Sequence, residues 1–370
     1  MKILTIGGAT QDIFIVYEDA ETMHLHTKTE TLSYLLLKEG GKIEVKDILY
    51  SSGGGANNAA FSFKKQGFEV TPFLKIGKDQ AGQFVLQKLA EAGIPSELVI
   101  QAAGSSTGIS FIIPSLERDR TIFAFRGVNA SIAKNEFPLD AIASHDYVYI
   151  TSLSGESSQL LLPITQMAKK NKVFVATNPG TSQLVAGAPM LRESLPNIDV
   201  LILNSAEAKK FMLSLVQTNS SLKQSLSSTP KSKNKQQKPS LLEGPISIED
   251  VSFNFDAFFN AVLSYGPKMV VVTNGAEGVY CATRDHIYFH ASLPVKVVNT
   301  LGAGDAFGST FVGALAAGKS IEQALRHGII NAASVISFMD TKQGLLSMQE
   351  LEKREKELKA DLLQKFSFKS

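Results

Sequence analysis

The stretch NTLGAGDAFGSTF, residues 299–311, places two glycines and an alanine before a lone aspartate, and an apolar run follows. Closely spaced glycines let backbone N–H groups converge, and the start of a helix adds a partial positive charge, so this turn is suited to anionic oxygens. Asp305 has two interpretations. It caps the helix, as aspartate often does, or it takes a proton from a hydroxyl that attacks a phosphorus held by the turn.

Strand-like runs rich in Val and Ile alternate with helix-length segments through most of the chain. Examples are DYVYITSL at 146–153, KVFVATNPG at 172–180, DVLILNSAEA at 199–208 and KMVVVTNGAEGVYCA at 268–282. This alternation predicts βα units, and therefore a mostly parallel sheet that is covered by helices on both faces.

Two kinds of segment interrupt the alternation. Residues 14–50 and 107–128 contain half-polar strands without helices between them, which predicts a small sheet lying over a cleft as a lid. Residues 214–242 are rich in Ser, Lys and Gln and contain no acidic residue. Because they can bury too little apolar surface to offset their ordering entropy, we interpret them as a flexible insertion within one domain spanning 1–370.

The composition argues against several classes of protein. The chain has 37 basic and 35 acidic residues, so its net charge of +2 gives no reason to expect nucleic acid. Its one cysteine, Cys281, excludes an intramolecular disulfide and fits a reducing compartment. No apolar run approaches the ~20 residues of a membrane span. We therefore expect a cytoplasmic protein that binds neither nucleic acid nor membranes.

These motifs together resemble the PfkB, or ribokinase-like, family of small-molecule kinases, over nearly the whole chain apart from 214–242. NTLGAGDAFGSTF resembles the family's C-terminal signature D-T-x-G-A-G-D-x-F. The resemblance implies an α/β fold, with a ribokinase-like three-layer α/β/α core and a small β-sheet lid. It also implies that Asp305 is the catalytic base and that the turn Gly302, Ala303 and Gly304 is the anion hole.

A second glycine-rich stretch, SSGGGANN from Ser51, resembles the family's signature G-G-x-x-x-N-x-A, with Ser52 in place of the first glycine. Small residues let the backbone approach a polyol, and an asparagine amide can both donate and accept hydrogen bonds. The resemblance implies that this loop, and an early aspartate in GGATQDIFI, bind sugar hydroxyls. The implied substrate-binding residues are Asp12, Gly53, Gly54 and Asn57.

Two further motifs indicate nucleotide binding. NSAE, from Asn204 to Glu207, resembles the family's motif N-x-x-E. The resemblance implies that this motif positions phosphate and Mg²⁺, with Glu207 at the metal. One protein carboxylate is enough to bind Mg²⁺, because the ion keeps most of its waters. TNGAEG at 273–278 resembles the turn T-x-G-x-x-G beside the nucleotide. ATP and Mg²⁺ are thus the implied cofactors, and the remaining implied nucleotide residues are Thr273, Gly275, Gly278 and, in the adenine pocket, Asn331.

Two positions depart from the family pattern. Asn299 replaces the usual aspartate at the head of the signature, and Thr310 stands where a glycine is common. Because the leading aspartate can help to form a monovalent-cation site in ribokinase-like enzymes, an uncharged amide there argues against activation by potassium. The predicted base and anion hole are unaffected.

The sequence thus predicts an ATP-dependent carbohydrate kinase that phosphorylates a hydroxymethyl group of a sugar or sugar derivative. A nucleoside kinase on the same scaffold is an alternative, in which Phe111, Phe123 and Phe125 of the lid could stack on a base. A regulator that binds nucleotide or sugar without catalysis is another. The exposed lid sheet could also pair across a homodimer.

Overall fold

The structure is a computed structural model that describes residues 1–17, 21–26, 31–114, 120–185, 188–218, 238–248, 251–358 and 362–368. Its strands are β1 (Lys2–Ile6), β2 (Thr10–Val16), β3 (Glu21–His26), β4 (Thr31–Leu36), β5 (Asp47–Gly53), β6 (Glu69–Gly77), β7 (Val99–Ala102), β8 (Gly108–Pro114), β9 (Arg120–Phe125), β10 (Tyr147–Ile150), β11 (Phe174–Thr177), β12 (Val200–Asn204), β13 (Ile246–Ile248), β14 (Val251–Phe253), β15 (Met269–Thr273), β16 (Gly278–Ala282), β17 (His286–Ala291) and β18 (Leu363–Ser367).

The α-helices of the described residues alternate with these strands. They are α1 (Gly55–Lys65), α2 (Gln80–Glu91), α3 (Leu161–Lys170), α4 (Thr181–Leu184), α5 (Ala188–Ser194), α6 (Ser205–Thr218), α7 (Ser240–Glu243), α8 (Phe255–Ser264), α9 (Ala303–Ala316), α10 (Ile321–Val335) and α11 (Met348–Glu355).

The described strands build one large sheet in the order β18-β17-β16-β15-β12-β11-β10-β1-β6-β7. The seven strands from β15 to β7 pair in parallel. The strands β16, β17 and β18 extend the sheet in antiparallel fashion at one edge. The predicted mostly parallel sheet is therefore confirmed.

The strand sequences explain why helices cover both faces of this sheet. In β10, Val148 and Ile150 pack into one buried cluster and Tyr149 into the other, because successive side chains of a strand point to opposite faces. Helices α3, α5, α6 and α8 contribute to the first cluster, and α1, α2, α9 and α10 to the second. This is the predicted three-layer α/β/α core.

A four-stranded sheet, ordered β5-β2-β8-β9, forms beside the core from the two predicted lid regions, and β3 pairs with β4 as a hairpin. The pairing of β2 with β8 is parallel, so this sheet is mixed. We refer to the four-stranded sheet as the lid. Its strand β2 follows core strand β1 after a short connection, so Asp12 on β2 lies at the boundary between lid and core.

Both described ends of the segment predicted as a flexible insertion, residues 214–242, belong to the folded core, so the prediction is wrong there. Residues 214–218 complete α6, where Leu215 and Val216 are buried, and Leu241 and Leu242 are buried in the same core cluster. These apolar side chains outweigh the polar composition around them. Residues 219–237 lie outside the described ranges.

Within the described ranges, none of the helices combines the length and apolar character that crossing a bilayer requires.

Candidate active site

The aspartate of the opening stretch does not cap its helix. Gly302 is the N-cap of α9 with a φ of 79°, and a Cβ there would lie 2.8 Å from Cβ of Thr341. Among the described residues no side chain caps this helix, so the partial positive charge of its first turn stays open to an anion. Asp305 lies inside that first turn, and its carboxylate is thus available for another role.

The carboxylate of Asp305 is half-buried and accepts a hydrogen bond from Nδ2 of Asn58 at 2.8 Å. Burial raises its pKa to about 6; the Asn58 hydrogen bond and the positive charge of Lys342 oppose this rise, and the charge of Asp12 adds to it. A carboxylate with a pKa near neutrality is suited to accept a proton.

Asn58 and Lys342 were missed by the sequence analysis. Nζ of Lys342 donates to Oδ1 of Asn58 at 3.0 Å and to the backbone carbonyl of Ser52, and it lies 4.9 Å from the ring centroid of Phe61. Burial lowers the pKa of Lys342, although three nearby carboxylates oppose this effect. Asn58 directly follows the predicted Asn57, whereas nothing in the sequence marked Lys342.

Asp12 lies next to the glycine loop. Its carboxyl is buried and accepts a hydrogen bond from Oγ1 of Thr10 at 2.7 Å. Burial raises its pKa, while hydrogen bonds from Thr10 and Ser110 and the charge of Lys342 lower it. A Cβ on Gly53 would lie 1.8 Å from Oδ2 of Asp12, so only glycine permits this approach.

The two other predicted residues of this loop hold its shape. Gly54 has a φ of 91°, and a Cβ there would lie 2.4 Å from the carbonyl oxygen of Gly8. Asn57 is fully buried, and its Nδ2 donates to Oγ of Ser52 and to the carbonyl of Gly53. Its Oδ1 is a buried acceptor without a hydrogen-bond partner among the described residues.

The two predicted nucleotide motifs are neighbours in the sheet. Asn204 at the end of β12 lies opposite Thr273 at the end of β15. Asn204 and Glu207 bond reciprocally, backbone N–H to side-chain oxygen, at 2.8 Å in each direction. Burial raises the pKa of Glu207.

Glycines shape the TNGAEG turn after β15. Gly275 has a φ of 54°, and a Cβ on Gly278 would lie 2.2 Å from the carbonyl oxygen of His290. Across the described ranges, no group of three or more His, Cys, Asp or Glu residues could hold a metal ion.

A cavity of about 590 Å³ lies along α10 and the segment that precedes the signature. Its apolar and polar lining is formed by Leu293, Val295, Ile330, Ala333, Ser334, Ser337, Phe338, Arg354, Glu357 and Leu358.

Asn331, predicted to lie in an adenine pocket, does not line this cavity. The side chain is fully buried, its Nδ2 donates to Oγ1 of Thr310 at 2.6 Å, and its Oδ1 accepts from the backbone N–H of Leu346 at 2.9 Å. The hydroxyl that Thr310 provides in place of the common glycine gives the amide an internal partner.

The lid reaches the signature turn through a residue that the sequence analysis also missed. Nη1 of Arg120, at the start of β9, donates to Oγ1 of Thr300. The contact places a lid cation at the turn that contains the predicted anion hole.

Comparison with known proteins identifies the family of this chain. The model of the pfkB family of carbohydrate kinases matches residues 15–237 and 256–345. A ribokinase of Staphylococcus aureus is 26% identical over 326 residues, which cover 85% of this chain and 86% of that protein.

Solved structures show the same fold. An Arabidopsis thaliana ribokinase complexed with ribose and ATP has a TM-score of 0.72 at 18% identity, covering 96% of this chain and 98% of that one. A Burkholderia thailandensis nucleoside kinase in complex with inosine has a TM-score of 0.67 at 15% identity, covering 96% and 98%.

Proposed function

The chain belongs to the pfkB family of carbohydrate kinases, which are phosphotransferases, and from this we propose that it transfers the γ-phosphoryl group of ATP to a hydroxymethyl group of a sugar or sugar derivative. One observation carries the proposal: Asp305 lies in the first turn of a helix that no described side chain caps and that begins at a left-handed glycine. One turn therefore offers both a proton acceptor and donors for phosphoryl oxygens.

In the proposed reaction, the acceptor hydroxyl oxygen forms a bond to the γ-phosphorus, and the bond from that phosphorus to the β–γ bridging oxygen breaks. The hydroxyl proton passes to Asp305, and ADP leaves. Backbone N–H groups of the turn from Gly302 to Gly304 stabilise the charge on the transferring group.

The acceptor binds against Asp12 and the loop that contains Gly53, Gly54 and Asn57. Asp12 is buried next to Gly53, a position at which a side chain would collide with the carboxylate. Oδ1 of Asn57 is a buried acceptor without a partner among the described residues. Buried polar atoms normally have partners. A sugar hydroxyl that reaches this amide would satisfy it.

The nucleotide binds where the β12 and β15 motifs meet, beside Asn204, Glu207, Thr273, Gly275 and Gly278, with its base in the cavity along α10. Each motif supplies polar atoms at the carboxyl end of a parallel strand, the edge at which open α/β sheets usually bind ligands. Mg²⁺, held near Glu207, would neutralise phosphate charge.

The lid closes over the acceptor and excludes water, which would otherwise compete as the phosphoryl acceptor. The hydrogen bond from Arg120 to Thr300 supports this role, because it joins the lid to the anion turn. Core and lid together act as one kinase domain spanning 1–370.

The outer face of the lid is proposed to pair with a second copy. Phe111, Phe123 and Phe125 are 42%, 54% and 54% exposed, which is unusual for side chains of this size. Changing Phe123 to Asp should convert a dimer to a monomer in light scattering coupled to gel filtration. A monomeric wild-type chain would contradict the pairing.

The strand register disfavours the nucleoside alternative that relied on these phenylalanines. Asp12 lies opposite Ser110, and Phe111 lies opposite Phe123, so the aromatic side chains occupy the face of the lid that Asp12 does not. A base whose ribose is bound at Asp12 would therefore have to stack on other side chains.

An ADP-release screen with ATP over pentoses, hexoses, sugar phosphates and nucleosides tests the proposal. Turnover of a sugar or sugar derivative is expected. Turnover confined to nucleosides would overturn the acceptor class. ATP binding without turnover of any of these compounds would instead identify a regulator.

A further inference from the structure

A chain of hydrogen bonds leads from the carboxylate of Asp305 to a half-buried lysine on a distant segment. Nδ2 of Asn58 on α1 donates to Oδ2 of Asp305 at 2.8 Å, and Nζ of Lys342 donates to Oδ1 of the same asparagine at 3.0 Å. The three groups come from α9, α1 and the segment after α10. Lys342, which completes the chain, lies outside the sequence motifs.

The chemistry of the lysine fixes the orientation of the amide. An ammonium group has only donors, so the atom of Asn58 that faces Lys342 must be the amide oxygen. Oγ1 of Thr341 lies 3.4 Å from the same oxygen and can also donate to it. The amide nitrogen is consequently left to face Asp305, where it can donate but cannot accept.

A donor in that position favours the ionised form of Asp305. A carboxylate oxygen is a strong acceptor of the N–H hydrogen bond, whereas protonation of that oxygen would weaken it as an acceptor. The hydrogen bond therefore fixes the orientation of the Asp305 carboxylate and keeps it deprotonated before the acceptor hydroxyl binds.

The ammonium is itself held in place by more than the amide. It donates to the backbone carbonyl of Ser52 and lies 4.9 Å from the ring centroid of Phe61. Oδ1 of Asp340 accepts from the backbone N–H of Lys342, and its Oδ2 accepts from Oγ of Ser51. These hydrogen bonds join residues 340–342 to Ser51 and Ser52, which directly precede the glycines of the loop.

We infer that Asn58 and Lys342 are a positioning pair for Asp305, in which the lysine fixes the asparagine amide and the amide holds the base ionised and oriented. The inference rests on the proposed function only in naming Asp305 as the base. Neither residue needs to contact the acceptor for this role.

Other charged groups also act on the two ends of the chain. Asp305 interacts with Lys342, Asp12 and Tyr149, and Lys342 interacts with Asp340, Asp12, Asp305 and Lys88. Since Asp12 and Asp340 are unchanged in the variants below, their contribution stays constant across the comparison.

The test is a pH titration of aspartate side-chain carboxyls by ¹³C NMR on the full chain, with the Asp305 signal assigned by its loss in Asp305→Asn. This measurement needs neither ATP nor an acceptor. Asn58→Ala and Lys342→Met should each raise the midpoint of Asp305 by about 1 pH unit, because each removes a group that favours the carboxylate.

Two variants serve as controls. Lys342→Arg keeps the donor and the charge, so its Asp305 midpoint should lie much closer to the wild-type value than that of Lys342→Met. Lys268→Met removes one charge from an exposed lysine that pairs with Asp199, and should leave the midpoint unchanged. Melting curves confirm that every variant is folded at the temperature of the titration.

Unchanged midpoints in folded Asn58→Ala and Lys342→Met, relative to Lys268→Met, would overturn the inference. In the kinetic test, with the acceptor found by the screen, both variants should lose more activity at pH 6 than at pH 8.5. Shifted NMR midpoints in a chain that phosphorylates nothing would support the pair and refute the proposed function, so the two failures are distinguishable.

Discussion

The side-chain amide of Asn299 donates a 2.8 Å hydrogen bond to the backbone carbonyl of Met339, and its oxygen accepts from the backbone N–H of Leu301. The backbone N–H groups of Val298 and Asn299 both donate to the carbonyl of Ile336. The head of the signature is thus joined directly to the segment after α10. A neutral donor makes this connection at the position where the family's usual aspartate can contribute to a monovalent-cation site.

We therefore expect the rate of phosphoryl transfer to be the same in potassium, sodium and choline chloride at equal ionic strength. Asn299→Asp would point a carboxylate oxygen at the carbonyl of Met339, and this repulsion should lower turnover about tenfold in choline chloride. Potassium should restore part of that loss in the variant. Strong potassium activation of the wild-type chain would refute this account of Asn299.

Asp305→Asn should lower turnover about 10²-fold to 10⁴-fold, because the amide cannot accept the hydroxyl proton. Binding of ATP, measured by calorimetry, should be retained, since the anion turn is unchanged. The matched control is Asp285→Asn, which neutralises an exposed aspartate outside the site and should leave the rate as it was. A rate within a few-fold of wild type for Asp305→Asn would exclude this residue as the base.

The raised pKa of Asp305 has consequences for both rate and stability. The rate should rise with pH through about 6, where the carboxyl ionises in the folded chain. Its unfolded pKa is about 3.9, so the folded state holds the proton more tightly, and stability should fall as pH rises from about 4 to 6.

Melting curves of the wild-type chain and Asp305→Asn at two pH values check the stability effect. The variant should melt above wild type at pH 8, where the wild-type carboxylate is ionised in a half-buried place. The difference should shrink at pH 5. Burial also raises the pKa of Asp12, so its ionisation acts in the same direction in both proteins.

The parts of the site that the sequence could predict are those set by local geometry. Gly302 before Asp305 and Gly53 beside Asp12 are required by backbone conformation or close approach, and such requirements leave fixed spacings in the chain. The alternating strands and helices were predictable for the same reason.

The rest depends on contacts between distant residues. Asn58 and Asp305 are 247 positions apart, and Asn58 and Lys342 are 284 apart. Arg120 meets Thr300 only because the lid folds against the core. The internal partner of the Asn331 amide could not be predicted for the same reason, since the hydroxyl that accepts its hydrogen bond belongs to Thr310 on another helix.

The two glycines of the anion turn should respond differently to alanine. Gly302 has a φ of 79° and is crowded by Thr341, so Gly302→Ala should lose about 1–2 kcal/mol of stability from the left-handed conformation alone. At Gly304 an added methyl group meets nothing within 4 Å. Gly304→Ala should therefore fold normally.

Turnover should nevertheless fall about tenfold or more in Gly304→Ala, because the methyl group projects where phosphoryl oxygens are proposed to bind. Urea denaturation and ADP release measured on both variants separate the two effects. Full activity in Gly304→Ala would argue against the turn as the anion hole.

Thr310→Val tests whether Asn331 is a structural or a nucleotide-binding residue. Oγ1 of Thr310 accepts hydrogen bonds from Nε2 of Gln66 at 3.1 Å and from Nδ2 of Asn331 at 2.6 Å, and all three side chains are buried or nearly so. Valine has the same shape but no acceptor. Since an unsatisfied buried donor costs about 1–3 kcal/mol, the free energy of unfolding should fall by about 2–4 kcal/mol.

The KM for ATP should stay close to the wild-type value in Thr310→Val at a temperature where the variant is folded. Thr165→Val is the matched control, because the hydroxyl of Thr165 is equally buried but, among the described residues, bonds only to the carbonyl of Leu162 one turn earlier in its own helix. It should lose much less stability, since no buried donor is left unpaired. An unchanged free energy of unfolding in Thr310→Val together with a large rise in the KM for ATP would support the prediction that Asn331 belongs to the nucleotide site.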